Sequence, residues 1–316
     1  MTASAPAQLS QPSWTAALAE LPDLELLWHE PLARCTTFRV GGPVTCLVRP
    51  RSRTALQTLH QWLRREQVPH FLLGAGSNLL VADEGWDGVA IQLTHCCNEI
   101  QLDPLANAAA HRRIHVGAGV KLARLLRFCM QQGLAGLEPL AGIPGTVGGS
   151  LVMNAGARSG CISDALDAIT IVDGLGEQRI LQKTQLTIGY RSMRLPEGSL
   201  ILEAAFHMKP DAPRELRLRL RSIIQQRRQT QPLNWPSAGC VFKNPPGQAA
   251  GALIDRTGLK GRRCGDAQIS TQHANWIINL GHATAQDILT LVRMAEERVF
   301  QEFGIHLERE IRVLTS

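Results

Sequence analysis

The sequence predicts an α+β protein in which short strands alternate with helices and run repeatedly into glycine-rich turns. Two observations carry that expectation. Apolar residues recur at helical spacing in some segments and as short continuous or alternating runs in others. Between them lie Gly74-Ala75-Gly76-Ser77-Asn78, placed where a strand gives way to a turn, and a long run from Gly142 through Gly149. Strand, helix, strand and glycine-rich turn in that order describe an α/β unit that holds an anionic ligand at the turn.

Taken in order, residues 14–27 read as weakly helical, with a break at Pro31. Gly41-Gly42-Pro43 makes a turn, and residues 45–48 form a strand. Residues 54–67 space Leu56, Leu59 and Leu63 as a helix does, and Phe71-Leu72-Leu73 is the next strand. A second unit begins near Ala90, with His115-Val116 as a strand entering Gly117-Ala118-Gly119. Behind it Leu122, Leu125, Leu126 and Met130 mark an amphipathic helix that stops at Gly133. Strands recur at 168–172 and 200–206. Residues 214–228 fit either an alternating strand or, through Leu216, Leu220, Ile223 and Ile224, a helix; their length favours the helix. Thr284 caps a final helix that carries Ile288, Leu291, Val292, Ala295 and Val299 on one face and ends at Gly304. Residues 305–314 read as a closing strand, with Glu308, Glu310 and Arg312 sharing its polar face.

Composition narrows the function. The 316 residues are 44% hydrophobic and 19% charged, as in ordinary soluble proteins, and long enough for two or three domains. A formal charge of +6 and a pI near 9.1 favour anionic partners. One tyrosine and seven phenylalanines supply few stacking platforms for nucleic acid, so no nucleic-acid partner is expected and phosphate-bearing small molecules are. The eight cysteines form no Cys-x-x-Cys pair. Adjacent Cys96 and Cys97, after His95, would point to opposite faces of a strand, so no metal is expected there. The N-terminal residues lack the pattern of a signal peptide, and no run is apolar enough to span a membrane. A cytoplasmic protein with reduced thiols and no membrane partner is the expectation.

Neither glycine turn is a complete dinucleotide fingerprint. Leu122 follows Gly117-x-Gly119, and Leu79 follows Gly74-x-Gly76, where a third glycine would stand. That argues against a standard Rossmann dehydrogenase and for another way of holding a dinucleotide. Ser77 and Asn78 add side-chain donors suited to a pyrophosphate. The glycines at 142, 145, 148, 149 and 156, interleaved with Ile143, Val147, Leu151 and Val152, read as a ligand cradle rather than a linker. Near the C-terminal third, the run at 236–247 sets Cys240, Lys243 and Asn244 among glycines and prolines that keep helix and central strand away and present side chains. Such a thiol is a candidate proton carrier or nucleophile, and equally a small buried hydrophobe.

Several separate blocks resemble one family, the flavin-dependent UDP-N-acetylenolpyruvoylglucosamine reductases of bacterial peptidoglycan precursor synthesis. They are Thr37-Phe38-Arg39-Val40-Gly41-Gly42, Gly74 through Leu80, Gly136-Leu137-Glu138 through Gly149, Met153 through Ala157, Tyr190-Arg191-Ser192, the Cys240 run, and Glu310-Ile311-Arg312. The resemblance spans about residues 34–314. It implies an N-terminal extension over residues 1–30, partly disordered, and an FAD-binding domain over 31–207. That domain would consist of two α/β subdomains, about 31–94 and 95–207, of the vanillyl-alcohol-oxidase-like (PCMH-type) fold. A C-terminal α/β substrate domain over 208–316 would follow. It also implies FAD as cofactor and NADPH as reductant, acting on UDP-N-acetyl-enolpyruvoylglucosamine, with the protein a monomer.

Residue by residue, the resemblance implies cofactor contacts from Gly74, Ala75, Gly76, Ser77, Asn78 and Leu79. Further contacts are implied from Gly142, Ile143, Pro144, Gly145, Thr146, Gly148 and Gly149, and from Asn154, Ala155, Gly156 and Ala157. Tyr190, Arg228, Lys243, Asn244 and His273 match substrate-side positions. Arg191 and Glu310 fall at the reacting carboxylate, and Cys240 falls where an acid is needed. Most members have serine at that place, and a thiol preserves the role because it gives up a proton more readily than an alcohol. The single tyrosine matches members lacking an extra tyrosine-bearing loop. Two other readings stay open here, a flavin oxidase of the same fold and a non-enzymatic nucleotide-binding module.

Overall fold

The computed structural model describes residues 12–103 and 112–315. It has a short helix α1 (Thr15–Ala19), then strands β1 (Leu24–Pro31) and β2 (Pro43–Pro50), helix α2 (Arg53–Arg65) and strands β3 (His70–Leu72), β4 (Leu79–Val81) and β5 (Trp86–Ile91). One four-stranded sheet has the order β1-β2-β5-β3, antiparallel between β1 and β2 and parallel elsewhere. β2 is central and buried almost throughout, as its run of Val44, Thr45, Cys46, Leu47 and Val48 requires. α2 starts at Ser52, whose hydroxyl accepts the Ala55 N–H at 3.1 Å, and buries Leu56, Leu59 and Leu63.

Residues 24–31, expected to be helical at their start, form the edge strand β1. Their leucines pair against β2, and this partner is invisible to a local periodicity reading. The boundary expected after residue 30 therefore runs through a strand of the first sheet.

The second sheet contains β6 (Ile100–Leu102), β7 (Arg112–Gly117) and the strands Leu166–Val172, Gln178–Gln182 and Leu200–Pro210, all antiparallel neighbours. Helix α3 (Leu122–Gln132) buries Leu122, Leu125, Leu126 and Cys129 and ends at Gly133, whose φ of +64° only glycine adopts cheaply. Cys96 and Cys97 lie in a turn rather than a strand, both buried, with sulfurs 3.8 Å apart. The short helix α4 (Val147–Val152) is capped by Thr146, and α5 (Pro213–Thr230) resolves the ambiguous segment as a helix.

The C-terminal part holds α6 (Ala250–Arg256), a small three-stranded sheet and α7 (Ala285–Phe303), which ends at Gly304 with φ +67°. Thr284 and Asp287 form a reciprocal cap on α7. Asp83, from the β4–β5 turn, accepts the N–H groups of Ala285 and Gln286 at 2.8 and 3.1 Å. The core of this part also includes Phe38, Val40 and Leu80, so it is welded to the first subdomain. The closing strand is shorter than expected. Only Arg312–Leu314 pairs, in parallel with β4, and residues 304–308 run as irregular chain before a bridge at Arg309. Among the described residues no helix is long and apolar enough to cross a membrane.

Candidate active site

A cavity of about 1450 Å³ lies between the two sheets and the C-terminal part. Both glycine runs line it. The first, Gly74 to Leu79, is folded tightly against the chain before β2. Gly76 has φ +60°, and a Cβ there would stand 2.0 Å from the Cys35 carbonyl oxygen, while the Gly76 carbonyl accepts the Thr37 N–H. The second, Gly142 to Ser150, meets the first where Ser77 Oγ donates to the Pro144 carbonyl at 2.8 Å. Gly149 and Gly239 also line the cavity. A Cβ at Gly149 would meet only Thr146 Oγ1 at 3.4 Å, and one at Gly239 nothing within 4 Å. Side chains at these places would fill the cradle itself. By contrast Gly117 and Gly119 are packing glycines, pressed against the carbonyls of Cys97 and Leu93.

Among the described residues, two buried polar atoms on the cavity wall, Ser199 Oγ and Gln231 Oε1, have no hydrogen-bond partner. Native interiors seldom leave such atoms unpaired, so a polar ligand is what this wall is built for. Burial holds the His60 imidazolium form down, aided by His70, whose ring lies 6.1 Å away.

At one end the three residues assigned to chemistry meet. Arg191 sits in a tight turn with φ +54°, and its Nη1 donates to the Gly156 carbonyl at 3.1 Å. Its Nε is 3.0 Å from Glu310 Oε1 without being directed at it, which makes the contact an ion pair rather than a hydrogen bond. Burial raises the Glu310 carboxyl above the usual range; Arg191 and then Lys243 oppose that. Cys240 is pushed up to about 11, first by burial and then by the Glu310 charge, against the pull of Trp276, Arg191 and Arg227. Its thiol is therefore neutral at rest.

The Cys240 run is a loop outside helix and strand, as expected. Isolated bridges pin it on both sides, Cys240 to Trp276 and Phe242 to Arg309. Asn275 clamps it with both amide atoms, accepting the Phe242 N–H at 2.9 Å and donating to the Phe242 carbonyl at 2.8 Å. The Glu310 N–H donates to the Val241 carbonyl at 2.8 Å, which sets acid and carboxylate side by side.

The other expected site residues divide. Ala155, Gly156 and Ala157 line the cavity, as do Asn244 and His273. Asn244 Oδ1 accepts the Ala250 N–H at the start of α6, and burial keeps His273 neutral, with Nδ1 accepting the Asn275 N–H. Asn154 is buried behind the wall, where Nδ2 donates to the Gly189 carbonyl at 3.0 Å and so holds the Arg191 turn. Tyr190 is exposed, with its hydroxyl accepting the Asn244 N–H at 3.4 Å, and Lys243 is ion-paired with Glu308. Arg228 is exposed and off the cavity wall; its neighbour Arg227 lines it instead. The heptad continuation of Leu216, Leu220, Ile223 and Ile224 reaches position 227, which is the sequence signal that favours Arg227. Trp276, beside the thiol, carried no signal in the sequence.

A dinucleotide cradle formed by two glycine loops, joined to an acid, a guanidinium and a carboxylate, defines an FAD-binding oxidoreductase. Residues 44–182 match the FAD binding domain family, and residues 231–314 match the C-terminal domain of UDP-N-acetylenolpyruvoylglucosamine reductase. The chain is 52% identical to the UDP-N-acetylenolpyruvoylglucosamine reductase of Syntrophobacter fumaroxidans, over 94% of its own length and 86% of the relative's. It is 42% identical to that of Moorella thermoacetica, over 92% and 93%. The crystal structure of the Thermus caldophilus enzyme superposes with a TM-score of 0.77 at 39% identity, covering 92% of this chain and 99% of that one. The chain belongs to the UDP-N-acetylenolpyruvoylglucosamine reductase family.

Proposed function

We propose that the protein reduces UDP-N-acetyl-enolpyruvoylglucosamine to UDP-N-acetylmuramate, with NADPH as reductant and Cys240 as the proton donor. The reading rests on one observation above all, the neutral Cys240 thiol held beside the Arg191–Glu310 pair at the end of a dinucleotide cradle. Gly74 to Leu79 and Gly142 to Gly149 would hold FAD, which when bound would supply the hydride needed at the methylene carbon of the enol ether. The residues do the rest. Arg191 holds the substrate carboxylate with the part of its fork left free by Glu310 and Gly156, so that charge built up as an enolate meets a fixed cation. Cys240 gives its proton to the enolate carbon, and the clamp at Asn275 fixes the face from which it arrives. Glu310 keeps the guanidinium in place and, by raising the thiol's proton affinity, keeps the acid loaded.

Asn244 and His273 complete the substrate side, and residues 208–316 supply it as a domain. In this reading the enzyme works as a monomer in the cytoplasm. The test is anaerobic. NADPH should bleach the bound flavin, and the enolpyruvyl UDP-sugar should restore its colour. Reoxidation by oxygen with peroxide release, and none by the UDP-sugar, would favour a flavin oxidase instead.

A further inference from the structure

Arg227 occupies a place that charged residues seldom take. On α5, Leu216 is buried and Leu220, Ile223 and Ile224 pack against the main core, and at 3.6 residues per turn the same stripe continues at 227. The side chain is half-buried and lines the cavity, with Cδ 3.1 Å from where a Cβ on Gly142 would stand. Gly142, at φ +77°, thus leaves room for the arginine stem beside the second glycine loop.

Among the described residues no hydrogen bond or ion pair satisfies this guanidinium. The other cations on the wall are either paired or in water. Arg191 lies against Glu310 and Gly156, Lys260 against Asp255, and Arg158 and Arg312 are exposed. Burial and the Arg191 charge disfavour the Arg227 cation, and Cys240 would favour it only as a thiolate. With Arg191 and Glu310 compensating one another and Cys240 neutral, Arg227 is the uncompensated charge of the cluster.

We propose that Arg227 is a substrate-binding residue, a second guanidinium that takes the carboxylate of the enolpyruvyl group opposite Arg191. The assignment rests on the reading of function above. An uncompensated, half-buried cation is costly until an anion arrives, so it selects for a substrate with a carboxylate at the reacting end. Hydride addition doubles the negative charge on that group, and Arg227 therefore holds the transition state more strongly than the ground state.

The experiment measures the two half-reactions separately by anaerobic stopped flow in wild type, R227Q and R221Q. Arg221 lies on the exposed side of the same helix and serves as control. In R227Q, reoxidation of reduced flavin by the enolpyruvyl UDP-sugar should fall on the order of tenfold to a hundredfold, with bleaching by NADPH changed less than about threefold. A UDP-sugar analogue with a carboxamide in place of the carboxylate should bind wild type and R227Q alike, which a merely structural role for Arg227 would not produce. Should R227Q fail to hold FAD, R227K keeps the stem and the charge but loses the fork, and its loss should again fall on the oxidative half. Unchanged reoxidation, or an equal or larger loss in the NADPH half-reaction, would overturn the assignment; the latter would give Arg227 to the phosphate of the dinucleotide. Failure of wild type itself to be reoxidised by the UDP-sugar would overturn the functional reading and the assignment with it.

Discussion

The Asn78 side chain donates from Nδ2 to the backbone carbonyl of Glu310 at 2.9 Å, and the Asn78 carbonyl accepts the Arg312 N–H at 2.9 Å. A residue of the first glycine loop thus fixes the height at which the C-terminal carboxylate stands beside Arg191. Cofactor cradle and acid–base end are one rigid unit, although 232 positions separate the partners. Asn78→Ala should leave the Glu310 carbonyl without its side-chain donor and cost about 1–3 kcal/mol in denaturant unfolding. Turnover should fall further than stability accounts for, because the Glu310–Arg191 contact loses its support. A variant with wild-type kcat would show that the carboxylate is positioned by other means.

Cys240 should behave as a loaded acid. With its pKa pushed up to about 11, the rate-supporting protonated form persists across neutral pH and is lost only as pH approaches that value. Because the folded pKa lies above the unfolded one, the thiol contributes stability that is complete below the unfolded pKa and is lost as pH rises through the folded value. Cys240→Ser should keep part of the activity, and Cys240→Ala should lose on the order of a hundredfold to ten-thousandfold in the oxidative half-reaction. Alkylation by iodoacetamide, read as the difference between wild type and Cys240→Ala, should inflect near 11; an inflection near neutrality would mean a resting thiolate and would remove Cys240 from the acid role.

How much of this was legible differs from segment to segment. The helices α2, α3 and α7 announce themselves by apolar spacing and by Ser52, Gly133, Thr284 and Gly304 at their ends, because those signals are local. β1 was not legible, since Leu24, Leu26 and Leu27 suit either state and β2 decides between them. The polar face assigned to Glu308, Glu310 and Arg312 assumed one continuous strand. The chain turns irregularly before 309, which leaves Glu308 in water and Glu310 largely buried. Arg227 and Arg228 are indistinguishable by residue type, and only the register of α5 separates them.

Glu310 gives a pH signature of its own. Burial raises its folded pKa, so its contribution to stability is complete below the unfolded value and is lost as pH rises through the folded one. Glu310→Gln cannot ionise and loses nothing in that window. The melting temperature of Glu310→Gln, measured relative to wild type, should therefore climb from about pH 4 toward neutrality. A difference that stays flat or falls over that range would mean that Arg191 and Lys243 outweigh burial and hold the carboxylate ionised. Activity of this variant should be low at every pH, since Arg191 loses the charge that holds it.

Two glycines separate ligand cradle from backbone necessity. At Gly76 a Cβ would stand 2.0 Å from the Cys35 oxygen in a backbone of φ +60°, so Gly76→Ala must move the loop and should cost about 2 kcal/mol or more in the apoprotein. Gly149 lies within α4, its Cβ position meets only Thr146 Oγ1 at 3.4 Å, and it faces the cavity. Alanine there improves helix propensity, so Gly149→Ala should leave the apoprotein unchanged or more stable by up to about 1 kcal/mol. Its added methyl should nevertheless occupy the cradle and weaken FAD binding, read as reduced quenching of flavin fluorescence on titration of apoprotein. The pair thus predicts opposite patterns, a destabilised fold for Gly76→Ala and a weakened ligand on an intact fold for Gly149→Ala. Wild-type FAD affinity in Gly149→Ala would place the cofactor away from the N-terminal turn of α4 and leave Gly74 to Leu79 as its main support.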